Sequence, residues 1–407
     1  MTNTSAVPRT GPRIRPLAVI GLVLVAINLR PAVTSLGPVL EEVRVSLGMS
    51  AAVAGLLTSV PAVCFALIGS TAPLLARRWG TGGVIALGTT SLTLGLALRP
   101  FAGGTASFIA LTALALAGIA LANVLLPVVV KQRFPDRVGA MTGLYSVALN
   151  LGASTAAAVT VPLTTGAFGG DWRLGLGVWA VVAAAALPVW ILLARDRVPH
   201  SVPVPPLAAA ATARPDAALH LRRQPIAWAL AVYFGLQSTA AYVIMGWLPQ
   251  IFRDAGLSAG TAGLLFAVTA LLGVPLSFVL SALAGRLPRQ SGVAVLIGLF
   301  GMAGYAGLWA DPAAAPWLWV VLLGVANCSF PLVLTMIALR GRDAATVARL
   351  SAFAQSTGYL LSVPGPIVVG VLYDHTGSWR IPLALMALLM VPQMVAGALA
   401  GRDRQIG

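Results

Sequence analysis

The chain has 407 residues, of which 58% are hydrophobic and only 9% are charged, and its formal net charge is +15. Soluble domains are about half apolar and a quarter charged, so this composition excludes a soluble globular protein and indicates an integral membrane protein. The positive charge does not indicate a nucleic-acid partner, because no basic stripe or aromatic RNA-binding motif accompanies it.

A helix of about 20 apolar residues crosses the hydrocarbon core of a membrane. The sequence contains twelve such runs, which we number as spans 1 to 12: residues 17–39, 51–75, 83–101, 105–130, 139–164, 174–194, 226–250, 259–284, 292–310, 315–338, 346–372 and 381–400. A stretch rich in Pro, Ala and Arg separates span 6 from span 7. The pattern predicts an all-α membrane protein with six-helix bundles at 1–194 and 225–407 and a cytoplasmic linker at 195–224.

The positive charges predict the orientation of these spans. With both termini inside, 20 of the 26 Lys and Arg residues fall in cytoplasmic segments, 5 fall in outer segments, and Arg30 lies inside span 1. An excess of Lys and Arg in short loops marks the cytoplasmic side. We therefore expect a multi-pass protein of the plasma membrane with cytoplasmic termini, and we count Arg99 among the outer-loop charges.

Three short segments recur in the same order between 204 and 208 residues later. They are Ser50–Leu57 with Ser258–Leu265, Ala122-Asn123 and Pro127 with Ala326-Asn327 and Pro331, and Trp172-Arg173 with Trp379-Arg380. Because six spans separate the members of each pair, the two halves have the same orientation. Parallel halves of six helices are typical of secondary transporters that bind substrate between the halves, near the middle of the membrane.

Four stretches carry a resemblance to a known family: NLRPAVTSLGPVL (28–40), APLLARRWG (72–80), ANVLLPVVVKQRFPDRVGAMTGLY (122–145) and GLQSTAAYVIMGWLP (235–249). The chain resembles the major facilitator superfamily over essentially its whole length, and within it the cyanate permease and 2-nitroimidazole transporter family. The resemblance implies alternating access, a cavity lined by spans 1, 4, 7 and 10 with spans 5 and 11 beside them, and cyanate-like anions or nitroimidazole-like rings as candidate substrates.

The loop between spans 2 and 3 departs from the superfamily pattern Gly-x-x-x-Asp-Arg-x-Gly. Pro73 stands at the first Gly position and Arg77 at the Asp position, so the usual carboxylate latch at the cytoplasmic face is missing. Arg78 and Gly80 remain, and Arg286 occupies the matching place in the second half. We assign these three residues, together with Pro31, to gating.

Arg30 lies a little past the middle of span 1 and is followed by Pro31. An arginine at a helix centre costs about 2.5–3.5 kcal/mol on insertion scales, and Pro31 leaves a carbonyl near Ile27 without its helical partner. Broken helix at membrane depth usually lines a cavity, and a guanidinium suits a carboxylate-like anion. We interpret Arg30 as the anion-binding group; the alternative is a strut that binds the carbonyls of a neighbouring helix.

The other candidate substrate-binding residues are the carboxamides and aromatic side chains of the spans expected to line the cavity. The carboxamides are Asn28, Asn123, Asn150, Gln237, Asn327 and Gln355, and the aromatic residues are Tyr145, Tyr242 and Trp247. Carboxamides also join membrane helices at about 0.6 kcal/mol each, and a Trp near a span end is commonly an interfacial anchor. Both structural alternatives stay open at this point.

All eleven acidic residues and all three histidines fall in predicted loops or at helix ends. Proton-coupled transporters usually carry an intramembrane Asp, Glu or His, so we expect an anionic or neutral polar substrate and no dedicated carboxylate relay. A secondary active or facilitative transporter is expected, in which facilitated diffusion or exchange moves the solute; coupling through the substrate's own protonation is the open alternative. We expect no metal and no cofactor, a small-molecule substrate, a lipid bilayer as surroundings and a monomer.

Three alternatives compete with an anion transporter. The nearest is efflux of a drug-like heterocycle by the same fold. A membrane-embedded enzyme needs a nucleophile and base or metal ligands at depth, and the spans contain no His, Asp or Glu. A non-transporting sensor of this fold tends to carry a soluble signalling extension, which we do not expect here.

Overall fold

The protein is described by a computed structural model that covers residues 14–195, 223–342 and 344–405. Of the predicted linker, residues 196–222 lie outside this range. The helices of the first half are Ile14–Asn28 and Pro31–Thr34 (span 1), Leu40–Leu47, Ala51–Leu98 (spans 2 and 3), Thr105–Arg133 (span 4), Val138–Pro162 (span 5), and Trp172–Ala184 and Leu187–Arg195 (span 6). Those of the second half are Pro225–Asp254 (span 7), Ala259–Arg286 (span 8), Ser291–Ala310 (span 9), Pro316–Ala326 and Ser329–Arg340 (span 10), Ala344–Ser362 and Pro364–Thr376 (span 11), and Arg380–Ala400 (span 12). Short 3₁₀ turns lie at Gly37–Val39, Arg99–Phe101 and Pro135–Arg137, and a π turn at Leu163–Ala167.

The twelve predicted spans correspond to eleven apolar helical segments in the described part of the chain, because spans 2 and 3 form one segment, Ala51–Phe101. This segment folds back on itself at Gly80, whose φ of 77° and ψ of 157° are not helical. On one side of Gly80, Cys64 Sγ lies 3.7 Å from Ala113 O in span 4; on the other, Gly95 packs against the same stretch of span 4, at Ala115. Glycine suits the reversal because it lacks the Cβ that disfavours positive φ. The chain therefore crosses twice within this segment, as predicted.

Span 1 is broken where the sequence places Arg30 and Pro31. The first helix ends at Asn28, and a four-residue helix restarts at Pro31, with Arg30 O accepting the first amides, from Val33 and Thr34, at 3.0 Å each. Proline at the first position of a helix costs nothing, because that amide has no helical partner. The carbonyl of Ile27, predicted to lose its helical partner, lies against Gly152 of span 5, where a Cβ would be 2.8 Å from Ile27 C.

Three hydrophobic cores show where the two halves meet. One core contains only residues of spans 1 to 6, and a second contains only residues of spans 7 to 12. The third combines both halves, and its members, such as Leu40, Trp172, Trp247, Phe266 and Trp379, all lie towards the predicted outer face. The halves therefore share a core at that face, and the core confined to the second half lies towards the predicted cytoplasmic face.

Candidate functional site

Arg30 lies at the break in span 1 and is half-buried. Its charge acts on the phenol groups of Tyr242 in span 7 and Tyr359 in span 11. Within the described residues, the guanidinium has no hydrogen-bond or ion-pair partner. The acidic side chains that the structure describes lie at helix ends, so this charge has no protein carboxylate beside it.

Tyr359 connects Arg30 to an aromatic cluster that spans both halves. Its ring stacks on Phe65 of span 2 with centroids 5.4 Å apart and planes at 19°. It also meets Phe234 of span 7 edge-on, at 4.9 Å and 87°. Arg30, Tyr242, Tyr359 and Phe65 therefore form one site between the halves, with a guanidinium, two phenols and flat aromatic surface.

Tyr359 and Phe65 are not among the site residues predicted from the sequence. A signal for Tyr359 was present, because it follows the predicted site residue Gln355 by four positions and so lies on the same helix face one turn away. Gln355 is half-buried and donates to Ser351 Oγ at 2.7 Å. This face of span 11 thus carries three polar side chains in successive turns, Ser351, Gln355 and Tyr359. Phe65 had no such signal, because phenylalanine is ordinary in an apolar span.

Asn123, Asn327 and Asn150 lie in spans 4, 10 and 5, and all three are half-buried. Neither Asn123 nor Asn327 makes a side-chain hydrogen bond to another described residue, and Asn327 ends the first helix of the broken span 10. Asn150 donates to Ser146 O at 2.9 Å, while its Oδ1 faces Gly273 of span 8 across the interface between the halves.

The four remaining predicted binding residues each lie in a different environment. Asn28 is 2% exposed and donates to Leu24 O at 2.8 Å and Val182 O at 3.1 Å, so it points into the first half and away from Arg30. Gln237 is buried and accepts from Ser238 Oγ at 3.4 Å. Tyr145 is half-buried against the first-half core. Trp247 is fully buried in the outer core and packs on Trp379 at 5.5 Å.

The residues assigned to gating lie at the break in span 1, at the end of span 2 and at the end of span 8. Pro31 is buried at the break, and Gly80 forms the reversal between spans 2 and 3. Arg78 and Arg286 are exposed, and neither has an ion-pair partner in the described ranges. The structure places these residues without assigning them a role, so gating stays a prediction.

Arg99 differs from its predicted place among exposed outer charges. It is 0% exposed, its Nη1 donates to Ala32 O at 3.0 Å, and its guanidinium lies 5.7 Å from the ring centre of Phe108. Its Nε and Nη2 are buried and have no hydrogen-bond partner among the residues that the structure describes. Because Ala32 belongs to the short helix that follows Arg30, Arg99 anchors the broken part of span 1.

The helices are those of a polytopic membrane transporter, in which two sets of six spans pack around a charged, aromatic cluster. Residues 20–363 match the Major Facilitator Superfamily, and the chain belongs to this superfamily. It is a transporter and not an enzyme.

Relatives of similar length support this family. The chain is 36% identical over 391 residues to an uncharacterized transporter, YycB, of Bacillus subtilis (strain 168), covering 95% of this chain and 94% of the relative. It is 34% identical to the 2-nitroimidazole transporter of Escherichia coli (strain K12), with coverage of 96% and 97%. It is 29% identical to the cyanate transport protein CynX of the same organism, with coverage of 92% and 94%. The resemblance to the cyanate and 2-nitroimidazole transporters is thereby confirmed.

Solved structures show the same fold. A bacterial homolog of the human lysosomal transporter Spinster, inward-facing and occupied, aligns with a TM-score of 0.78 at 16% identity, covering 96% of this chain and 97% of that one. The nucleoside transporter NupG aligns with a TM-score of 0.72 at 15% identity, with coverage of 95% and 98%.

Proposed function

We propose that the protein moves a small anion or a flat polar solute across the plasma membrane by alternating access, with Arg30 as the anion-binding group. The observation that carries this proposal is the guanidinium of Arg30, half-buried between the halves and without a carboxylate partner among the described residues. A lone charge in this position is costly. A bound monoanion offsets that cost, because charge-assisted hydrogen bonds are about twice as strong as neutral ones.

The neighbours of Arg30 suit an anion that is also flat. The phenol groups of Tyr242 and Tyr359 can donate hydrogen bonds to oxygen or nitrogen atoms of a ligand. The rings of Tyr359 and Phe65 offer a surface on which a planar group stacks. A cyanate ion can bind the guanidinium of Arg30. A nitroimidazole ring can bind the guanidinium and also stack on the rings of Tyr359 and Phe65. The substrates in the names of two relatives therefore fit the same site.

The carboxamides extend this proposal. Asn123, Asn327 and Gln355 are half-buried, and we assign them to the wall of the substrate cavity, with Asn150 at the interface with span 8. Asn28, Gln237, Tyr145 and Trp247 keep their proposed binding role on the sequence argument alone. We also propose, on the sequence argument alone, that four residues act in gating: Arg78, Gly80, Arg286 and Pro31.

The proposal also includes the organisation of the chain. It comprises bundles at 1–194 and 225–407, a linker at 195–224, cytoplasmic termini and a monomeric state. The charge distribution supports the orientation, since 20 of 26 basic residues fall on one side of the predicted topology. No Asp or Glu described by the structure lies near Arg30, which supports uncoupled diffusion or exchange of the anion and not a carboxylate proton relay.

Thermal unfolding of purified protein in detergent tests the role of Arg30. Wild type, Arg30→Ala and the matched control Arg380→Ala are compared with cyanate, other small monoanions and 2-nitroimidazole at constant ionic strength. Arg380 is exposed over the ring of Trp309 at the predicted outer face, so its removal subtracts the same charge away from the site. A ligand at a hundredfold excess over its dissociation constant adds about 2.7 kcal/mol to stability. We expect an anion to stabilise wild type and Arg380→Ala but not Arg30→Ala; equal stabilisation of all three contradicts the proposal.

Efflux of a drug-like heterocycle is the second candidate. The aromatic cluster of Phe65, Phe234 and Tyr359 favours it, because stacking needs no charge on the ligand. In the same experiment, stabilisation of wild type and Arg30→Ala by an uncharged heterocycle, with no response to anions, would support efflux and identify Arg30 as a strut.

A further inference from the structure

Span 2 begins with three amides that a helix cannot satisfy by itself. The third is capped locally, since Ser50 Oγ accepts from Val53 N at 3.2 Å. The first two are capped from the other half of the molecule: Asp374, near the end of span 11, accepts from Ala51 N at 2.8 Å and from Ala52 N at 2.7 Å. One carboxylate thus binds the positive end of a helix across the interface between the halves, and the helix dipole strengthens the interaction.

The contact below Asp374 is a close approach of two backbones. A Cβ at Gly55 of span 2 would lie 2.8 Å from Ile367 Cα of span 11, and a Cβ at Gly370 would lie 2.7 Å from Ala51 C. One turn deeper than Gly55, Ser59 Oγ donates to Val363 O at 2.8 Å. We name this contact, from Ala51 to Ser59 and from Val363 to Asp374, the 2–11 seam.

The internal repeat creates a matching contact, which we name the 5–8 seam. Gly263 of span 8 stands at the repeat position of Gly55, and a Cβ there would lie 2.7 Å from Ala157 O of span 5. Span 8 also begins with a local serine cap, because Ser258 Oγ accepts from Thr261 N at 3.2 Å. The residue 207 positions before Asp374 is the exposed Ala167. The 5–8 seam therefore shares the glycine and the serine cap but has no carboxylate at this position.

We propose that Asp374 is the latch that holds the predicted outer face closed. It acts as a positioning residue, because its carboxylate binds the first amides of span 2. The usual superfamily latch is a carboxylate at the cytoplasmic face, where this chain has Arg77; here a carboxylate latch lies at the opposite face instead. The proposal rests on alternating access but not on the anion-binding role of Arg30.

Cysteine labelling in intact cells measures opening of the outer face, and it requires no substrate. Ser59 is 0% exposed inside the 2–11 seam, so Ser59→Cys reacts with a membrane-impermeant maleimide from outside only when the outer face opens. The parent carries Cys64→Ala and Cys328→Ala, which remove the two buried native thiols. The matched control is Asp171→Asn, because Asp171 caps a helix at the same face, accepting from Arg173 N at 2.8 Å, but within one half.

We expect Asp374→Asn to raise the labelling rate about fivefold, since it removes the charge and one of the two acceptors, and Asp171→Asn to leave it unchanged. A labelling rate for Asp374→Asn equal to that of the parent overturns the proposal. So does an increase of the same size in Asp171→Asn, because it would show a general loosening of helix ends. Labelling of Ser59→Cys only in inside-out vesicles overturns the assignment of the latch to the outer face.

A second variant, Ala167→Asp, adds a carboxylate and tests the proposal even if Asp374→Asn does not reach the membrane. Ala167→Asp places a carboxylate at the repeat position of Asp374 in the first half. We expect it to lower labelling of Ser59→Cys about threefold, because a second latch stabilises the closed face. An unchanged or faster rate contradicts the proposal. These readouts stay informative if anions fail to bind at Arg30, so failure of the substrate proposal and failure of the latch are distinguishable.

Discussion

The ring of Phe65 stacks on the ring of Tyr359, with centroids 5.4 Å apart, although 294 positions separate the two residues. Phe65 belongs to the first half and Tyr359 to the second, so the pair joins the halves at the depth where Arg30 lies. Phe65 packs against the core of the first half and Tyr359 against the core of the second, so the stack connects these two separate cores.

Tyr359→Phe keeps this ring stack and removes one hydroxyl. We expect the substitution to weaken binding of the anion that stabilises wild type about tenfold, because hydrogen bonds to a charged group contribute about 1.5–3 kcal/mol. Thermal unfolding against ligand concentration measures the dissociation constant. Tyr373→Phe is the control, since the Tyr373 hydroxyl donates to Asp254 at the predicted outer face. Loss of affinity in both variants would contradict a specific role for Tyr359.

Arg99→Met tests whether the buried arginine positions Arg30. The substitution removes a buried charge, which favours folding, and leaves Ala32 O without a partner, which costs about 1–3 kcal/mol. We expect these effects to offset each other in thermal unfolding, while anion affinity falls about threefold because the short helix after Arg30 loses its anchor. Arg380→Met is the control. Unchanged affinity in Arg99→Met would show that Arg99 does not position the site.

Gly370→Ala tests the close approach in the 2–11 seam. A methyl group there overlaps the backbone of Ala51, which cannot move out of the way as a flexible side chain can. We expect a loss of about 1–3 kcal/mol in thermal unfolding, and faster external labelling of Ser59→Cys. Gly260→Ala, with open space around its Cβ in a helix, should not destabilise the protein and should leave the labelling rate unchanged. Equal behaviour of the two variants would contradict tight backbone contact between the halves.

Gly80→Ala tests the reversal between spans 2 and 3. At φ 77° a Cβ strains the backbone, with open space around it, so the cost is conformational and of order 1–3 kcal/mol. Gly83→Ala lies three residues on, in helical backbone with ordinary contacts, and should stabilise by about 0.5–1 kcal/mol. Thermal unfolding of the two variants compares them directly. A stabilising Gly80→Ala would mean that the chain does not reverse through positive φ.

The sequence by itself determined the class of protein, the twelve spans and the repeat, and it showed that Arg30 is a charge inside an apolar span. Each depends on local physics: a bilayer requires about 20 apolar residues per crossing, and a charge inside such a run is costly wherever the run packs. The break at Pro31 followed for the same reason, because proline acts on its own helix.

Only the tertiary structure decided which side chains meet. Phe65 and Tyr359 are ordinary residues in their own spans, and Asp374 reads as a loop charge until span 2 is placed beside it. Arg99 was expected at the surface because its position in the sequence is a span end, yet the 3₁₀ turn at Arg99–Phe101 buries it against spans 1 and 4. Contacts between distant segments depend on how helices pack, and apolar periodicity does not specify partners when most faces of a membrane helix are apolar.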